Sequence, residues 1–141
     1  MLRPEDDGVT HINIYSKAKT ELGKWLSNFA YSPVTLREGH FKSLEGYWYF
    51  LLTGDDRFRD LVGYKAKQLG KTLVKVETID EKAVKTAMEV KLRSNLEMLE
   101  LFKQSTLPFT HYYVFDGRIK PAGYDWIVKH WEKLRRDAIA K

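Results

Sequence analysis

Cysteine is absent from this chain of 141 residues, and its absence excludes several kinds of chemistry. Such a chain forms no disulfide, uses no thiolate nucleophile and holds no zinc or iron–sulfur centre through Cys ligands. The histidines are His11, His40, His111 and His130, and no two of them have the H-x-x-x-H spacing of a metal site. We therefore expect chemistry without a metal ion or other cofactor.

Long apolar runs are also missing. No segment approaches the roughly 18 apolar residues that a membrane span requires, and the first ten residues, MLRPEDDGVT, carry acids where a signal peptide has an apolar core. The glycine-rich motifs of Rossmann and P-loop nucleotide sites and the G-x-S-x-G elbow of serine hydrolases are absent too. These absences predict a cytoplasmic protein that has no membrane partner.

The chain does have the length of one domain and a modest positive charge. Its 24 Lys+Arg against 19 Asp+Glu give a net charge of +5. The signs are interspersed, so the charge indicates an anionic partner such as a phosphate, a nucleotide or a nucleic acid without selecting among them. We expect a polar tail over residues 1–10 and a single domain over residues 11–141.

Periodicity predicts a mainly α fold with a small β hairpin or sheet, in the α+β class. Predicted strands cover residues 11–16, 112–115 and a hairpin at 34–41 around Glu38-Gly39, with a loop at 17–24. Predicted helices run from an N-cap at Ser43 to Gly54, over 55–61, over 64–69 with Gly70 as the C′ residue, from a capping box at Thr78 to 95, over 96–104, and from about 124 onward.

Glu45 is one candidate for chemistry, because it lies in the first turn of the aromatic segment Ser43-Leu44-Glu45-Gly46-Tyr47-Trp48. A carboxylate in a buried helix needs hydrogen bonds, a cation or a function to offset its desolvation. The alternative is an ordinary first-turn acid that complements the helix dipole. Gly46 is a poor helix former, which indicates that a backbone or a ligand approaches the helix closely at this point.

The segment Trp25-Leu26-Ser27-Asn28-Phe29 is a second candidate. The Asn28 side chain both donates and accepts hydrogen bonds, so it suits the edge of a base, with Trp25 or Phe29 stacking on that base. The alternative is a turn whose aromatic residues only pack in the core.

These two segments, in this order and separated by a hairpin, resemble the NADAR (YbiA-like) family, whose hallmarks are an L-S-N-F segment and a later S-x-E-x-Y-aromatic segment. The resemblance extends over about residues 12–135. Its further motifs are Ala66–Lys71, Met88–Asn95, Gly123-Tyr124 and Glu132–Arg135.

The resemblance implies an N-glycosidase, a hydrolase that cleaves a ribose–nitrogen bond. The substrates it implies are ADP-ribosylated guanine or DNA, or a ribosylamino-pyrimidine phosphate of riboflavin metabolism. Glu45 matches the family's motif glutamate and is expected to be the principal catalytic residue. The substrate-binding residues implied are Asn28, Phe29, Trp25, Trp48, Lys67, Lys71 and Arg118, the last three as phosphate or pyrophosphate ligands.

Two family segments are changed here. Ile79 stands where the family has a tryptophan before the long helix, and His111 and Val114 replace an aspartate and a tryptophan in the later loop. Asp116 is a candidate replacement for the lost acid, and His111 is a candidate proton donor.

The alternative function is therefore a catalytically impaired module that binds ADP-ribose, a nucleotide or an ADP-ribosylating partner. Such a module would suit a phage protein that counters host ADP-ribosylation in the host cytoplasm. A nucleic-acid binder is a third possibility, with affinity that falls steeply with salt.

Overall fold

Helices dominate the computed structural model, which describes residues 1–140. The α-helices are α1 (Glu21–Leu26), α2 (Leu44–Thr53), α3 (Gly63–Thr72), α4 (Glu81–Arg93), α5 (Leu96–Gln104) and α6 (Asp125–Ala140). The strands are β1 (Ile12–Asn13), β2 (Val34–Leu36), β3 (Gly39–Phe41), β4 (Phe109–Thr110), β5 (Tyr112–Phe115) and β6 (Arg118–Pro121). Two short 3-10 turns cover Pro4–Asp6 and Asp56–Asp60. The predicted mainly α fold with a small β component is confirmed.

The strands form three separate two-stranded sheets. β1 pairs in parallel with β4, whereas β2 pairs with β3 and β5 pairs with β6 in antiparallel hairpins. Contacts divide the chain into two compact units: a central unit, residues 28–96, and a terminal unit, formed by residues 1–27 together with the chain from residue 97 onward. The expected division into a tail and one domain stays a prediction.

The central unit is built on α2, and the sequence predicts both ends of this helix correctly. The Ser43 hydroxyl accepts a hydrogen bond from the Gly46 N–H at 3.0 Å, and Gly54 ends the helix in the left-handed region with φ 73°. The predicted close approach at Gly46 is also confirmed. A Cβ there would overlap with the backbone carbonyl oxygen of Phe58. The residue Phe58 is itself fully buried. Glycine therefore lets α2 pack directly on the 3-10 turn.

Gly70 has a different role from the predicted one. It lies inside α3 rather than after its end, and a Cβ at this position would overlap with the ring of Tyr49 on α2. The missing side chain makes room for a helix–helix contact, so the sequence signal reflects tertiary packing and not helix termination. Tyr49 in turn stacks on Phe58, with ring centroids 5.4 Å apart.

The terminal unit contains a buried polar network where β1 and β4 pair. The Asn13 side chain donates to the Tyr112 carbonyl oxygen at 2.9 Å and accepts from the Tyr112 N–H at 3.0 Å. His11 Nε2 lies 2.7 Å from the Tyr112 hydroxyl. Asp7, in the segment predicted as a tail, is buried, and its carboxylate accepts hydrogen bonds from the backbone N–H groups of Asn13 and Lys19.

Two further predictions were wrong in detail. The segment 17–24, predicted as a loop, contains the start of α1, because the Thr20 hydroxyl caps this helix by accepting from the Gly23 N–H and the helix buries Trp25 and Leu26. The long helix α4 begins after Asp80 and not after Thr78, since the Asp80 carboxylate accepts from the Ala83 N–H.

Candidate functional site

Glu45 occupies the first turn of α2, and the chain around it is ordered by backbone hydrogen bonds. Its N–H donates to the Asn28 carbonyl oxygen at 2.9 Å, so Asn28 lies directly against the N-terminus of α2. Asn28, in the first hallmark segment, and Glu45, in the second, are therefore neighbours within the central unit. This hydrogen bond satisfies one of the N–H groups that helix geometry leaves without an intrahelical partner.

Burial raises the pKa of Glu45 to about 7, from an ordinary value of 4.5, and the positive charge of Lys67 opposes that rise. Desolvation is the larger of the two effects. A carboxyl group with a pKa near 7 exchanges its proton readily at neutral pH, as a general acid or base must. The result favours a functional role for Glu45 over that of an ordinary first-turn acid, which keeps its carboxylate in water.

Phe29 and Lys67 lie together beside this carboxyl group. Lys67 Nζ is 5.9 Å from the centroid of the Phe29 ring, within the range of a cation–π contact. A Cβ at Gly63 would lie 3.5 Å from the Phe29 carbonyl oxygen and 3.7 Å from its ring, so Phe29 also rests against the first turn of α3. Gly63 and Lys67 are one helical turn apart, and they hold Phe29 along one face of α3.

Two other predicted binding residues of the central unit extend this cluster along its helices. Trp48 is buried on α2, three residues after Glu45 and hence on the same side of the helix. Lys71 is exposed on α3, four residues after Lys67 and on the same helix face. The cluster formed by Asn28, Phe29, Glu45, Trp48 and Lys67 is called the Glu45 site below.

The other predicted site residues belong to the terminal unit. Trp25 is buried on α1. Asp116 and Arg118 are exposed at the turn of the β5–β6 hairpin. Burial lowers the pKa of His111 below 6.5, and this effect exceeds the opposing effects of a hydrogen bond with the Gly123 backbone and the charge of Asp125. The site roles of these four residues stay predictions.

The structure also contains a pocket of about 310 Å³ that the sequence did not indicate. It lies between the β2–β3 hairpin and the start of α4, and its lining includes Glu38, Tyr47 and Lys82. The Tyr47 hydroxyl donates to the Glu38 carboxylate, at 3.1 and 3.0 Å from its two oxygens. Since Tyr47 is two residues from Glu45 on α2, the two side chains project to different sides of that helix.

Within residues 1–140, no group of three or more His, Asp or Glu side chains is arranged to hold a metal ion. No helix in that range is both long enough and apolar enough to cross a bilayer.

Comparison with known proteins gives a fold and no sequence relative. No protein-family model and no curated protein matches the chain. Among solved structures, the chain is similar to the E. coli protein YbiA, determined by NMR, with a TM-score of 0.66 and 16% identity. The similarity covers 91% of this chain and 84% of YbiA. The chain therefore has a YbiA-like fold, as the resemblance in sequence predicted.

Proposed function

We propose that this protein is a divergent NADAR N-glycosidase and that Glu45 is its principal catalytic residue. The substrate is an N-riboside that carries phosphate, either ADP-ribose attached to guanine in a nucleoside or in DNA, or a ribosylamino-pyrimidine phosphate. The observation that carries the proposal is the raised pKa of Glu45 at a helix N-terminus, next to Asn28 and Lys67, in a chain with a YbiA-like fold.

The reaction requires little more than a carboxyl group and a binding pocket. Hydrolysis breaks the bond between C1′ of the ribose and the nitrogen, forms a C1′–O bond to water, and moves one proton from that water to the leaving nitrogen. The transition state resembles an oxocarbenium ion, so a carboxylate beside C1′ stabilises its positive charge and accepts the proton of the attacking water. Glu45 has the pKa for this exchange at neutral pH.

The neighbours of Glu45 provide the contacts that such a ligand needs. Phe29 offers an aromatic ring for stacking on the base, and the amide of Asn28 suits the hydrogen-bonding edge of that base. Lys67 and Lys71 present two ammonium groups on one face of α3, which suits a phosphate or pyrophosphate. Lys67 also lowers the pKa of Glu45, so it couples ligand charge to the ionisation of the carboxyl group.

One observation favours the alternative function, a module that binds ADP-ribose or an ADP-ribosylating partner without turnover. The lowered pKa of His111 leaves its imidazole mostly neutral at pH 7, where it is a poor proton donor. A chain that has lost the donor for the leaving nitrogen would keep ligand binding and lose rate. Such a binder would suit a phage protein that acts on host ADP-ribosylation in the host cytoplasm.

The experiment is a product assay with the wild type and Glu45→Gln. Each protein is incubated with ADP-ribosylated guanosine, with ADP-ribosylated DNA and with the ribosylamino-pyrimidine phosphate, and released ADP-ribose or ribose phosphate is quantified by chromatography and mass spectrometry. Glu97→Gln is the matched control, because Glu97 is also a first-turn acid but is exposed on α5. We expect product from the wild type and from the Glu97 variant, and none from Glu45→Gln.

Calorimetry with ADP-ribose separates the two functions. If Glu45→Gln binds ADP-ribose as the wild type does and only the wild type forms product, the carboxyl group acts in catalysis. If the wild type binds ADP-ribose but releases no product from any substrate, the binding module replaces the enzyme as our conclusion. An absence of both binding and turnover refutes both functions.

A further inference from the structure

The β5–β6 hairpin has an outer face, opposite to the face that carries the buried Tyr112. Residues directly opposite each other in an antiparallel pair project to the same side of the sheet. Tyr113 is paired with Lys120, and Phe115 is paired with Arg118. The outer face therefore carries two aromatic rings on one strand and two cations on the other. All four residues are exposed, with Phe115 at 75% and Tyr113 at 38%.

The inner face of the hairpin holds it to the rest of the terminal unit. Tyr112 is buried and takes part in the network with His11 and Asn13, and Val114 and Ile119 are half-buried. Because the inner residues supply buried contacts, Phe115, which is 75% exposed on the outer face, is not needed to attach the hairpin. Exposing the apolar surface of the outer aromatic rings to water is unfavourable in free energy, and a ligand that covers the rings would remove this unfavourable contribution.

The outer face is also geometrically fixed. Asp116 and Gly117, with φ 53° and 72°, form the tight two-residue turn that sets the register of the hairpin. The rings of Tyr15 and His111 lie 5.8 and 6.2 Å from that of Tyr113, between centroids, and support it. Residues two apart on a strand are about 7 Å from each other, so Tyr113 and Phe115 present two rings at a fixed spacing.

We propose that this outer face binds single-stranded nucleic acid. Two successive unpaired bases stack on Tyr113 and Phe115, while Lys120 and Arg118 contact the phosphates beside them. Stacking platforms of this kind combine aromatic rings with cations and tolerate any base, since every base has a π-face. The hairpin sequence 112–121 has two cations against one carboxylate, that of Asp116 in the turn, so its charge complements a phosphate backbone.

The proposal assigns a binding surface and does not depend on the N-glycosidase activity. A second copy of the chain is a less suitable occupant, because the cations of one copy would face those of the other. A duplex is also less suitable, because its bases are stacked on each other and are not available to the aromatic rings. Arg118, which the family resemblance placed at a pyrophosphate, is here a ligand for the strand.

The test is fluorescence anisotropy with a labelled single-stranded DNA of mixed sequence, about 15 nucleotides long, at 50–200 mM salt. Phe115→Ala removes one stacking ring and should weaken binding by about 5- to 100-fold, the range for loss of one base–aromatic contact. Tyr31→Ala is the matched control, since Tyr31 is another exposed aromatic residue, at 66%, in the central unit. It should bind as the wild type does.

The cations are tested by the salt dependence. Each phosphate contact to a single strand contributes about 0.7 to the slope of log K against log salt, so Arg118→Gln combined with Lys120→Gln should reduce that slope by about 1.4. Lys82→Gln combined with Arg93→Gln, two exposed cations of α4, is the control for net charge and should leave the slope nearly unchanged.

Several results would overturn the proposal. They are no binding by the wild type at 50 mM salt, equal loss in the Phe115 and Tyr31 variants, an unchanged slope in the Arg118/Lys120 variant, and equal or tighter binding of a duplex of the same sequence. Self-association that Phe115→Ala abolishes, without DNA binding, would assign the face to contact between copies. Circular dichroism of each variant verifies that it is folded.

Discussion

Replacing Glu45 with Gln should stabilise the protein at neutral pH, and the gain should depend on pH in a defined way. Burial raises the pKa of Glu45 from 4.5 to about 7. Below pH 4 the carboxyl group is protonated in the folded and unfolded chain, so it contributes no difference. As the pH rises from 4.5 to 7, the unfolded chain ionises first, which favours unfolding. Above pH 7 the folded state bears the full cost of the buried charge.

The magnitude follows from the same two pKa values. Each pKa unit corresponds to about 1.4 kcal/mol, so the wild type should lose about 3 kcal/mol of unfolding free energy between pH 4 and pH 8 through this one group. Gln has nearly the shape of the protonated acid and never ionises. The unfolding free energy of Glu45→Gln should therefore equal that of the wild type near pH 4 and exceed it by ~3 kcal/mol near pH 8.

The assay is urea denaturation of both proteins at half-unit steps from pH 4 to pH 8.5. The difference between the two proteins is the measured quantity, because it cancels other groups such as Lys91, whose pKa burial lowers to about 7. Glu97→Gln, with an exposed side chain, should stay close to the wild type at every pH. A difference for Glu45→Gln that is the same at pH 4 and pH 8, or larger at pH 4, would refute the reasoning.

Three other substitutions have outcomes that the contacts determine. Lys67→Met removes the positive charge that lowers the pKa of Glu45, so the pKa of the carboxyl group should rise. In the product assay, the pH at which activity increases should therefore move to higher pH. An unchanged pH profile would contradict the electrostatic coupling between Lys67 and Glu45. Gly46→Ala should destabilise by ~3 kcal/mol or more in urea denaturation, because its Cβ would overlap with the rigid carbonyl of Phe58. Asn13→Ala should cost about 2–4 kcal/mol in the same assay, as it leaves buried backbone groups without partners, and a cost below 1 kcal/mol would contradict this account.

Local signals in the sequence were reliable where the structure uses local hydrogen bonds. Ser43 and Gly54 predicted both ends of α2, because an N-cap side chain and a left-handed C-cap act within a few residues. At α4 two capping residues compete two positions apart, and the spacing alone did not favour Asp80 over Thr78. The start of α1 was missed because a six-residue helix shows too little periodicity to recognise.

Contacts between residues that are distant in sequence could not be predicted from local sequence patterns. Gly70 is a glycine because Tyr49 on another helix needs the space, and no local pattern contains that information. At the site, the motif order placed Asn28 near Glu45 correctly, as their 2.9 Å hydrogen bond shows. The contact between Lys67 and Phe29 depends on how α3 packs, which the sequence does not show. The sequence therefore predicted the same phosphate-binding role for Lys67 and Lys71, whereas in the structure Lys67 contacts Phe29 and Lys71 is exposed.

The division of the chain into a continuous and a discontinuous unit affects the order in which it can fold during synthesis. Residues 28–96 leave the ribosome as one stretch and include every contact internal to their unit. In contrast, β1 pairs with a strand that lies almost a hundred residues later in the chain, as in the pair of Ile12 with Phe109. The hydrogen bond of the Asn13 side chain can form only after Tyr112 has been synthesised. During synthesis the first 27 residues therefore remain without their partners in β4 and β5 while the central unit can already form.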